Sequence, residues 1–250
     1  MSQRLNKPKR SAVFMDLGLL DYSRALDLQT QILQSKIDHP LSEDRILFVE
    51  HPSVFTLGKR GGEENLVISR NFLTAKRIDI VQTNRGGNIT YHGPGQAVLY
   101  PIVNLEKNKI GVKEFVHGLE EIMKRTAMAF NIDADRNLKN HGIWVGNSKI
   151  GSVGISIKHG ISFHGLALNI NPDLEPFSWI NPCGLSNISI TSIEKERRKL
   201  NATEKLSDND LSMDQIKDSF IKHFSSIFNY SIIKNNDSSK KTKKTKAVMA

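Results

Sequence analysis

Hydrophobic residues recur at helical spacing in three long stretches of the chain. In residues 22–37, 112–130 and 213–228, apolar side chains return every three or four positions, with polar and charged side chains between them. This period places the apolar residues on one face of an amphipathic helix. We therefore predict three helices, the second of them the longest, and a shorter helix at 69–77.

Shorter apolar runs between these helices predict strands, several of them ended by proline or glycine. We predict strands at 12–15, 45–50, 54–58, 78–82, 89–91, 97–105 and 142–145, and a strand or turn at 188–193. The remainder of 186–210 shows little periodicity, and we assign no element to it. Strands and helices are mixed without regular alternation, which favours an α+β fold over a doubly wound sheet.

A predicted hairpin begins at Lys149. Two alternating runs are joined by a polar connection, Lys158-His159-Gly160, with glycine at its end, which is typical of a β-hairpin. The second run leads through a proline-containing loop to Cys183, the only cysteine of the 250 residues. We therefore expect the lysine hairpin and the lone thiol to belong to one site.

The lone thiol has two interpretations. Free cysteines often act as small buried hydrophobes, but Pro182 and Gly184 give Cys183 an irregular backbone through which other groups can approach it. Lys149 is either a solvated residue at a strand end or a cation that lowers the thiol pKa from its free value of about 8.5. A thiolate paired with an ammonium supplies both a nucleophile and a proton donor. Cys183 and Lys149 are therefore our candidate catalytic residues.

Other polar residues give weaker signals. Arg85-Gly86-Gly87 could cradle a phosphate or carboxylate, although it lacks the spacing of a P-loop. Neither the histidines nor a hypothetical Ser-His-Asp triad gives a stronger signal. The histidines lack the spacing of a zinc site, and the sequence has no Gly-x-Ser-x-Gly motif. The histidines considered as unrelated are His51, His92, His141 and His164, and the triad would be Ser152, His164 and Asp173.

The formal net charge of +9 belongs to the ends of the chain. Residues 1–10 carry four basic side chains and no acidic one, and residues 234–250 carry six lysines and one aspartate. Residues 11–233 are balanced, so we expect one catalytic domain at 11–233 between two basic tails. A domain that binds nucleic acid would carry its own positively charged face, so we do not expect residues 11–233 to bind nucleic acid.

The chain has no apolar run approaching the roughly 18 residues of a membrane span. Its first ten residues also lack the apolar core of a secretory signal. A single cysteine excludes an intramolecular disulfide framework and points to a reducing compartment. We therefore expect a cytoplasmic protein without a membrane partner.

Five strings resemble the lipoyl(octanoyl) transferase family of lipoate biosynthesis and occur in that family's order. They begin at Arg85 (RGGNITYHGPGQ), Tyr100 (YPI), Lys149 (KIGSVG), His164 (HGLALN) and Asn181 (NPCGL). The resemblance covers roughly residues 12–230, apart from 186–210. One departure is Gly151, where the family usually has alanine.

The resemblance implies a mixed β-sheet flanked by helices, similar to the catalytic domain of biotin and lipoate protein ligases. It implies transfer of octanoyl from acyl carrier protein to a lysine of lipoyl domains in 2-oxoacid dehydrogenase complexes and glycine cleavage H protein. Cys183 would form the acyl-thioester, and Lys149 would lower its pKa and act as acid and base. The implied acyl pocket comprises Arg85, Gly86, Gly87, Asn88, Ile89, Thr90, Tyr91, His92, Ser152, Val153, Gly154, Gly165, Leu166 and Ala167.

The residues fit this chemistry. Small residues on facing strands would leave a slot for an unbranched chain, with apolar walls beside it. The expected slot is formed by Gly151, Gly154, Gly165 and Ala167, and the walls by Val153, Ile155 and Leu166. Thioester exchange requires no ATP, so we expect no cofactor and no metal. The alternatives are an ATP-dependent lipoate or biotin ligase on the same fold and a non-enzymatic binding module.

Overall fold

The structure is a computed structural model that describes residues 10–137, 140–181, 188–200 and 211–234. Within these residues the chain forms twelve strands, five α-helices and two 3-10 helices. The strands are β1 (Arg10–Leu19), β2 (Asp44–Glu50), β3 (Val54–Leu57), β4 (Asp79–Gln82), β5 (Ile89–His92), β6 (Gln96–Ile102), β7 (Asp135–Asn137), β8 (Asn140–Val145), β9 (Ser148–Lys158), β10 (Ile161–Asn169), β11 (Ser189–Ile190) and β12 (Tyr230–Lys234). The helices are α1 (Tyr22–Asp38), α2 (Arg70–Lys76), α3 (Val112–Ala129), α4 (Ile193–Leu200) and α5 (Met213–Phe228), with 3-10 helices at Glu63–Asn65 and Glu175–Trp179.

A mixed sheet forms the centre of the molecule. Its order is β12-β1-β2-β6-β10-β9-β8-β7, with β11 paired to β9 outside this path. The pairs from β2 to β7 are antiparallel, whereas β1 runs parallel to both β2 and β12. The predicted hairpin is confirmed as β9 and β10, which pair from Lys158 and Ile161 onward.

Helices cover the two faces of this sheet. In β6, Val98 and Tyr100 pack in a hydrophobic cluster with α1, while Ala97 and Leu99 pack in a second cluster with α3 and α5. Because successive side chains of a strand point to opposite faces, α1 lies on one face and the α3–α5 pair on the other. A mixed sheet between helices confirms the predicted α+β fold.

A smaller sheet of β4, β3 and β5 carries its own hydrophobic cluster. β3 pairs in parallel with β4 and antiparallel with β5. The cluster includes Phe55 and Tyr91 from the strands, Leu73 from α2, and Phe177 from the second 3-10 helix. This sheet positions the segment that precedes and includes β5.

Most predicted elements are confirmed, but one α-helix, two strands and both 3-10 helices were missed. α4 lies in the segment to which we assigned no element, and the strands β7 and β12 were not predicted. Of the eight residues of α4, only Ile193 and Glu196 are buried, so no apolar period marks this helix. β7 has three residues, and β12 is recognised only by its pairing with β1.

The ends of the described chain take part in the sheet. β1 begins at Arg10 and β12 ends at Lys234, so each strand includes one residue that the sequence assigned to a tail. The other tail residues, 1–9 and 235–250, lie outside the described residues. In the part of the chain that is described, no helix is both long enough and apolar enough to cross a membrane.

A buried ion pair joins distant parts of the fold. Lys36 Nζ lies 2.8 Å from Asp44 Oδ1, and the two side chains are 2% and 8% exposed. Asp44 Oδ2 accepts hydrogen bonds from Tyr230 Oη at 2.6 Å and Asn108 Nδ2 at 2.9 Å, and Oδ1 accepts one from the Asn104 backbone at 3.1 Å. One carboxylate therefore connects the end of α1, the start of β2, the β6–α3 connection and β12.

We expect Asp44→Ala to lower the free energy of unfolding by about 3–5 kcal/mol, because it leaves the buried Lys36 ammonium without its counter-charge. Glu43→Ala is the matched control, since Glu43 pairs with Arg45 at the surface and is 47% exposed. Its loss should cost less than about 1 kcal/mol. Urea denaturation measures both free energies of unfolding. Equal losses would contradict the claim that the buried pair stabilises the fold more than the surface pair.

Candidate active site

A cavity of about 260 Å³ is lined by the segment from Arg85 to His92 together with β9 and β10. Thirteen of the fourteen pocket residues expected from the sequence lie around it, and Lys149 lines it as well. The thirteen are Arg85, Gly86, Gly87, Asn88, Ile89, Thr90, His92, Ser152, Val153, Gly154, Gly165, Leu166 and Ala167. Three separate segments of the chain therefore meet at one cavity, and the roles of these residues in binding stay predictions.

Tyr91 is the expected pocket residue that does not line the cavity. Its ring packs at 5.4 Å from that of Phe55 and 5.3 Å from that of Phe177, and its hydroxyl lies 2.9 Å from Ser53 Oγ. Tyr91 therefore belongs to the core of the smaller sheet. Alternation along β5 places Tyr91 on the face opposite Thr90 and His92, and there its ring packs against Phe55 and Phe177.

The 85–88 segment is fixed by main-chain contacts on two sides. Gly86 N donates to Ile155 O of β9 at 2.9 Å, while Lys59 N donates to Arg85 O at 2.9 Å. A Cβ at Gly58 would lie 2.4 Å from Gly87 O, so this approach excludes a side chain. The segment is therefore a fixed wall between the smaller sheet and β9.

Arg85 holds this wall to β3. Its Nη2 donates to Thr56 O at 2.6 Å, its Nε donates to Thr56 Oγ1 at 3.1 Å, and its Nη1 donates to Gly86 O at 3.0 Å. The residue is 8% exposed. These contacts bind the guanidinium to the protein's own oxygens, so they support a role as pocket wall rather than the alternative role as an anion cradle.

Three histidines that are far apart in sequence come together beside the cavity. His51 Nδ1 lies 2.7 Å from Leu20 O, so this nitrogen donates, and Nε2 accepts from Tyr100 Oη at 2.8 Å. The His92 ring lies 5.8 Å from that of His51, and the His164 ring 6.4 Å from that of Tyr100. Three of the four histidines that the sequence left without a relation are therefore neighbours in the fold, because strands β5, β6 and β10 and the β2–β3 connection converge here.

Burial keeps these imidazoles neutral. It lowers the pKa of His51 to about 4. Burial, together with nearby positive charge, lowers the pKa values of His92 and His164 to about 3. That charge comes from His51 and then Arg85 for His92, and from Arg85 and then Lys59 for His164. Among the described residues, no group of three or more His, Cys, Asp or Glu side chains is arranged to hold a metal ion. The three imidazoles are therefore neutral, and two of them, His92 and His164, line the cavity.

Lys149 lies near the start of β9 and is 7% exposed. Its Nζ donates to Asn140 Oδ1 at 3.1 Å and lies 5.5 Å from the centre of the Trp144 ring. Its main-chain oxygen accepts from Thr191 N at 2.9 Å, and Ile190 of β11 is its partner in the ladder. Lys149 is therefore a buried, contacted ammonium rather than a solvated residue at a strand end.

Cys183 lies outside the described residues, within the interval 182–187. On one side of the interval, Asn181 N donates to Asn65 O at 2.8 Å. On the other side, Ile188 lines the cavity and Ser189 pairs with Ser148 of β9. Asn181 is therefore held by the first 3-10 helix, and the residue that follows the interval lines the cavity.

The glycines of the expected slot serve close packing. A Cβ at Gly151 would lie 2.7 Å from Met123 Sδ, and one at Gly165 would lie 1.9 Å from Leu99 O. A Cβ at Gly154 would lie 2.9 Å from Gly86 O. Of the four residues expected to form the slot, Gly154, Gly165 and Ala167 line the cavity and Gly151 does not. The small size of the three glycines also lets helix α3, strand β6 and the 85–88 wall approach.

Further cavity residues were not predicted as site residues. They are Tyr22, Arg60, Val98, Tyr100, Val116, Asn140, His141, Ile155, His164, Phe177, Ile188 and Ile190, of which Ile155 alone was expected as an apolar wall. The motifs beginning at Tyr100 and His164 were the available signal for those two residues. The others come from segments that carry no chemical motif.

Residues 21–225 match the family described as the lipoyl protein ligase A/B catalytic domain. The octanoyltransferase of Desulfotalea psychrophila is 52% identical over 184 residues, which are 73% of this chain and 82% of that protein. The octanoyltransferase of Alkaliphilus metalliredigens is 39% identical over 220 residues, which are 88% of this chain and 96% of that protein.

Solved structures share the fold at low sequence identity. Lipoate-protein ligase A bound with ATP has a TM-score of 0.67 and 13% identity, over 92% of this chain and 90% of its own. The bi-partite lipoate protein ligase of Thermoplasma acidophilum has a TM-score of 0.64 and 15% identity, over 91% of this chain and 86% of its own. These likenesses confirm the expected similarity of fold to the lipoate ligases.

The neutral histidines predict a loss of stability in acid. Because the folded pKa of His92 lies below the unfolded value of about 6.5, the unfolded chain binds more protons, and stability falls as the pH drops from above 6.5 towards 3. At pH 5 the cost is about 2 kcal/mol for one such histidine. We expect His92→Gln to reduce the difference in unfolding free energy between pH 7 and pH 5 by about this amount.

Urea denaturation at the two pH values measures this difference. His159→Asn is the control, because His159 is exposed in the β9–β10 turn, and it should keep the wild-type dependence on pH. A His92→Gln protein with the wild-type dependence would show that His92 is not held neutral by burial.

Proposed function

The chain belongs to the lipoyl protein ligase A/B catalytic domain family, and we propose that it transfers an octanoyl group from octanoyl-acyl carrier protein to a lipoyl-domain lysine through a thioester on Cys183. Its curated relatives carry the name octanoyltransferase, so the enzyme is an acyltransferase and acts in octanoyl transfer for protein lipoylation. The identity of the donor, the acceptors and the catalytic residues is the proposed part.

One observation carries the proposal: a buried lysine lines the same cavity as residues from three separate motifs. Burial of an ammonium group costs free energy unless polar partners contact it. Lys149 has partners in Asn140 and Trp144. The interval that contains Cys183 begins after Asn181 and ends before Ile188, which also lines the cavity.

In the proposed reaction, the Cys183 thiolate attacks the carbonyl carbon of the octanoyl thioester. The carrier thiolate leaves and takes a proton from the Lys149 ammonium. The ε-amino group of the acceptor lysine then attacks the acyl-enzyme, Lys149 takes its proton, and the Cys183 thiolate leaves. In each half-reaction one bond to the carbonyl carbon forms and another breaks. The reaction therefore needs no ATP and proceeds in two successive half-reactions.

The donor in this proposal is octanoyl-acyl carrier protein. The acceptors are lipoyl domains of 2-oxoacid dehydrogenase complexes and glycine cleavage H protein. A cytoplasmic location and a single catalytic domain at residues 11–233 belong to the same proposal, supported by the lone cysteine and by the charge balance of the body.

We expect incubation with octanoyl-acyl carrier protein to add one octanoyl mass to the protein, on Cys183, in the absence of ATP. Intact-mass and peptide mass spectrometry measure this product, and Cys183→Ala should abolish it. Transfer to a lipoyl domain that continues in Cys183→Ala would refute the thioester route. A strict requirement for ATP would instead favour a ligase.

Lys149→Ala should lower the rate of acyl-enzyme formation about 100-fold or more, because it removes a positioned proton donor and the cation beside the proposed thiolate. Lys158→Ala is the control, since Lys158 is exposed at the other end of the same strand. Single-turnover kinetics measure both rates, with circular dichroism to verify folding. A folded Lys149→Ala enzyme of wild-type rate would remove Lys149 from the mechanism.

A further inference from the structure

One strand directs the Lys149 side chain. Asn140 is the first residue of β8, and its Oδ1 accepts a hydrogen bond from Lys149 Nζ at 3.1 Å. Trp144 of the same strand presents its ring 5.5 Å from this nitrogen. An amide oxygen and the face of an aromatic ring both attract a cation without carrying a formal charge.

The backbone of β8 is shaped to allow this contact. The register between β8 and β9 shifts between Ile143 and Trp144, as in a β-bulge. Gly142 has a φ of +120°, and a Cβ there would lie 2.1 Å from Gly151 O and 3.0 Å from Lys149 Cε. Glycine at this position therefore lets the aliphatic part of Lys149 pass along β8 to Asn140.

A buried carboxylate holds the same part of β8. Glu120 of α3 is 5% exposed, and its Oε1 accepts from Gly142 N at 2.9 Å. The same oxygen lies 3.3 Å from Nδ1 of His141. The start of β8, which carries Asn140, is thus fixed to the underlying helix rather than only to its neighbouring strand.

We propose that Asn140 is a positioning residue for Lys149. Its side-chain oxygen directs the ammonium within the cavity from a strand that Glu120 holds in place. A neutral acceptor suits this task better than a carboxylate, which would hold the proton on Lys149 more strongly and repel a nearby thiolate. The positioning role is inferred from these contacts, whereas the use of Lys149 in the reaction rests on the proposed acyl transfer.

The kinetic test compares Asn140→Ala and the isosteric Asn140→Asp with the wild type. Asn140→Ala should lower kcat for octanoyl transfer about tenfold, the effect of losing one hydrogen bond to a charged group, without changing KM for the carrier protein. Asn140→Asp should move the alkaline limb of the pH–rate profile to higher pH, because its carboxylate stabilises the ammonium. Asn147→Ala, exposed in the same β8–β9 hairpin, should behave as the wild type.

A spectroscopic readout tests the placement without catalysis. In protein labelled at lysine with ¹³C, the Trp144 ring should shift the ε-CH₂ proton signal of Lys149 upfield, and loss of the signal in Lys149→Arg assigns it. In Asn140→Ala this signal should move towards that of exposed lysines. In Asn147→Ala it should stay in place.

The outcomes separate this inference from the proposed function. An unmoved Lys149 signal in Asn140→Ala overturns the positioning role. A moved signal in Asn140→Ala with unchanged kcat overturns the part of Asn140 in the reaction. If the wild type transfers no octanoyl group but the signal moves in Asn140→Ala, the positioning stands and the proposed function fails. Should Asn140→Ala not fold, Asn140→Ser, which also lacks the amide oxygen, supplies both readouts.

Discussion

The cavity depends on a close approach of main chain to main chain along the 85–88 segment. Gly58 contacts Gly87 where no Cβ would fit, and Gly86 donates to Ile155 of the central sheet. Hydrogen bonds and van der Waals contacts set the distance between the two sheets here, so side-chain motion cannot change it easily. Arg85 also holds the segment to β3, because its guanidinium donates hydrogen bonds to Thr56.

The same segment also affects the charge state of the cavity wall. Arg85 is a buried cation close to His92 and His164, and burial together with its charge keeps both imidazoles neutral. Neutral imidazoles and tyrosines leave this part of the wall without a formal charge, which is compatible with the uncharged acyl chain of the proposed function. The Lys149 ammonium, in contrast, lines the cavity where β8, β9 and β11 adjoin.

Sequence periodicity predicted the elements that bury a continuous apolar face, such as α1, α3 and the β9–β10 hairpin. It did not predict α4, because a helix of eight residues with two buried positions has no apolar stripe to detect. The orientation of Tyr91 was readable in principle, since strand alternation places it on the face opposite Thr90. The meeting of His51 with His92 was not, because it follows from strand pairing across the molecule.

The setting of Lys149 explains why a strand rather than a loop carries this cation. Strand pairing on both sides fixes the main chain of Lys149, through Trp144 in β8 and Ile190 in β11. A loop lysine would have to lose its conformational freedom whenever a substrate binds, at a cost in free energy for each immobilised side chain. Here that cost is met during folding, by the Asn140 hydrogen bond and the Trp144 ring. In the proposed reaction, electrostatic stabilisation requires groups that are oriented before the chemistry begins, and the irregular β8–β9 pair would provide that orientation for the ammonium.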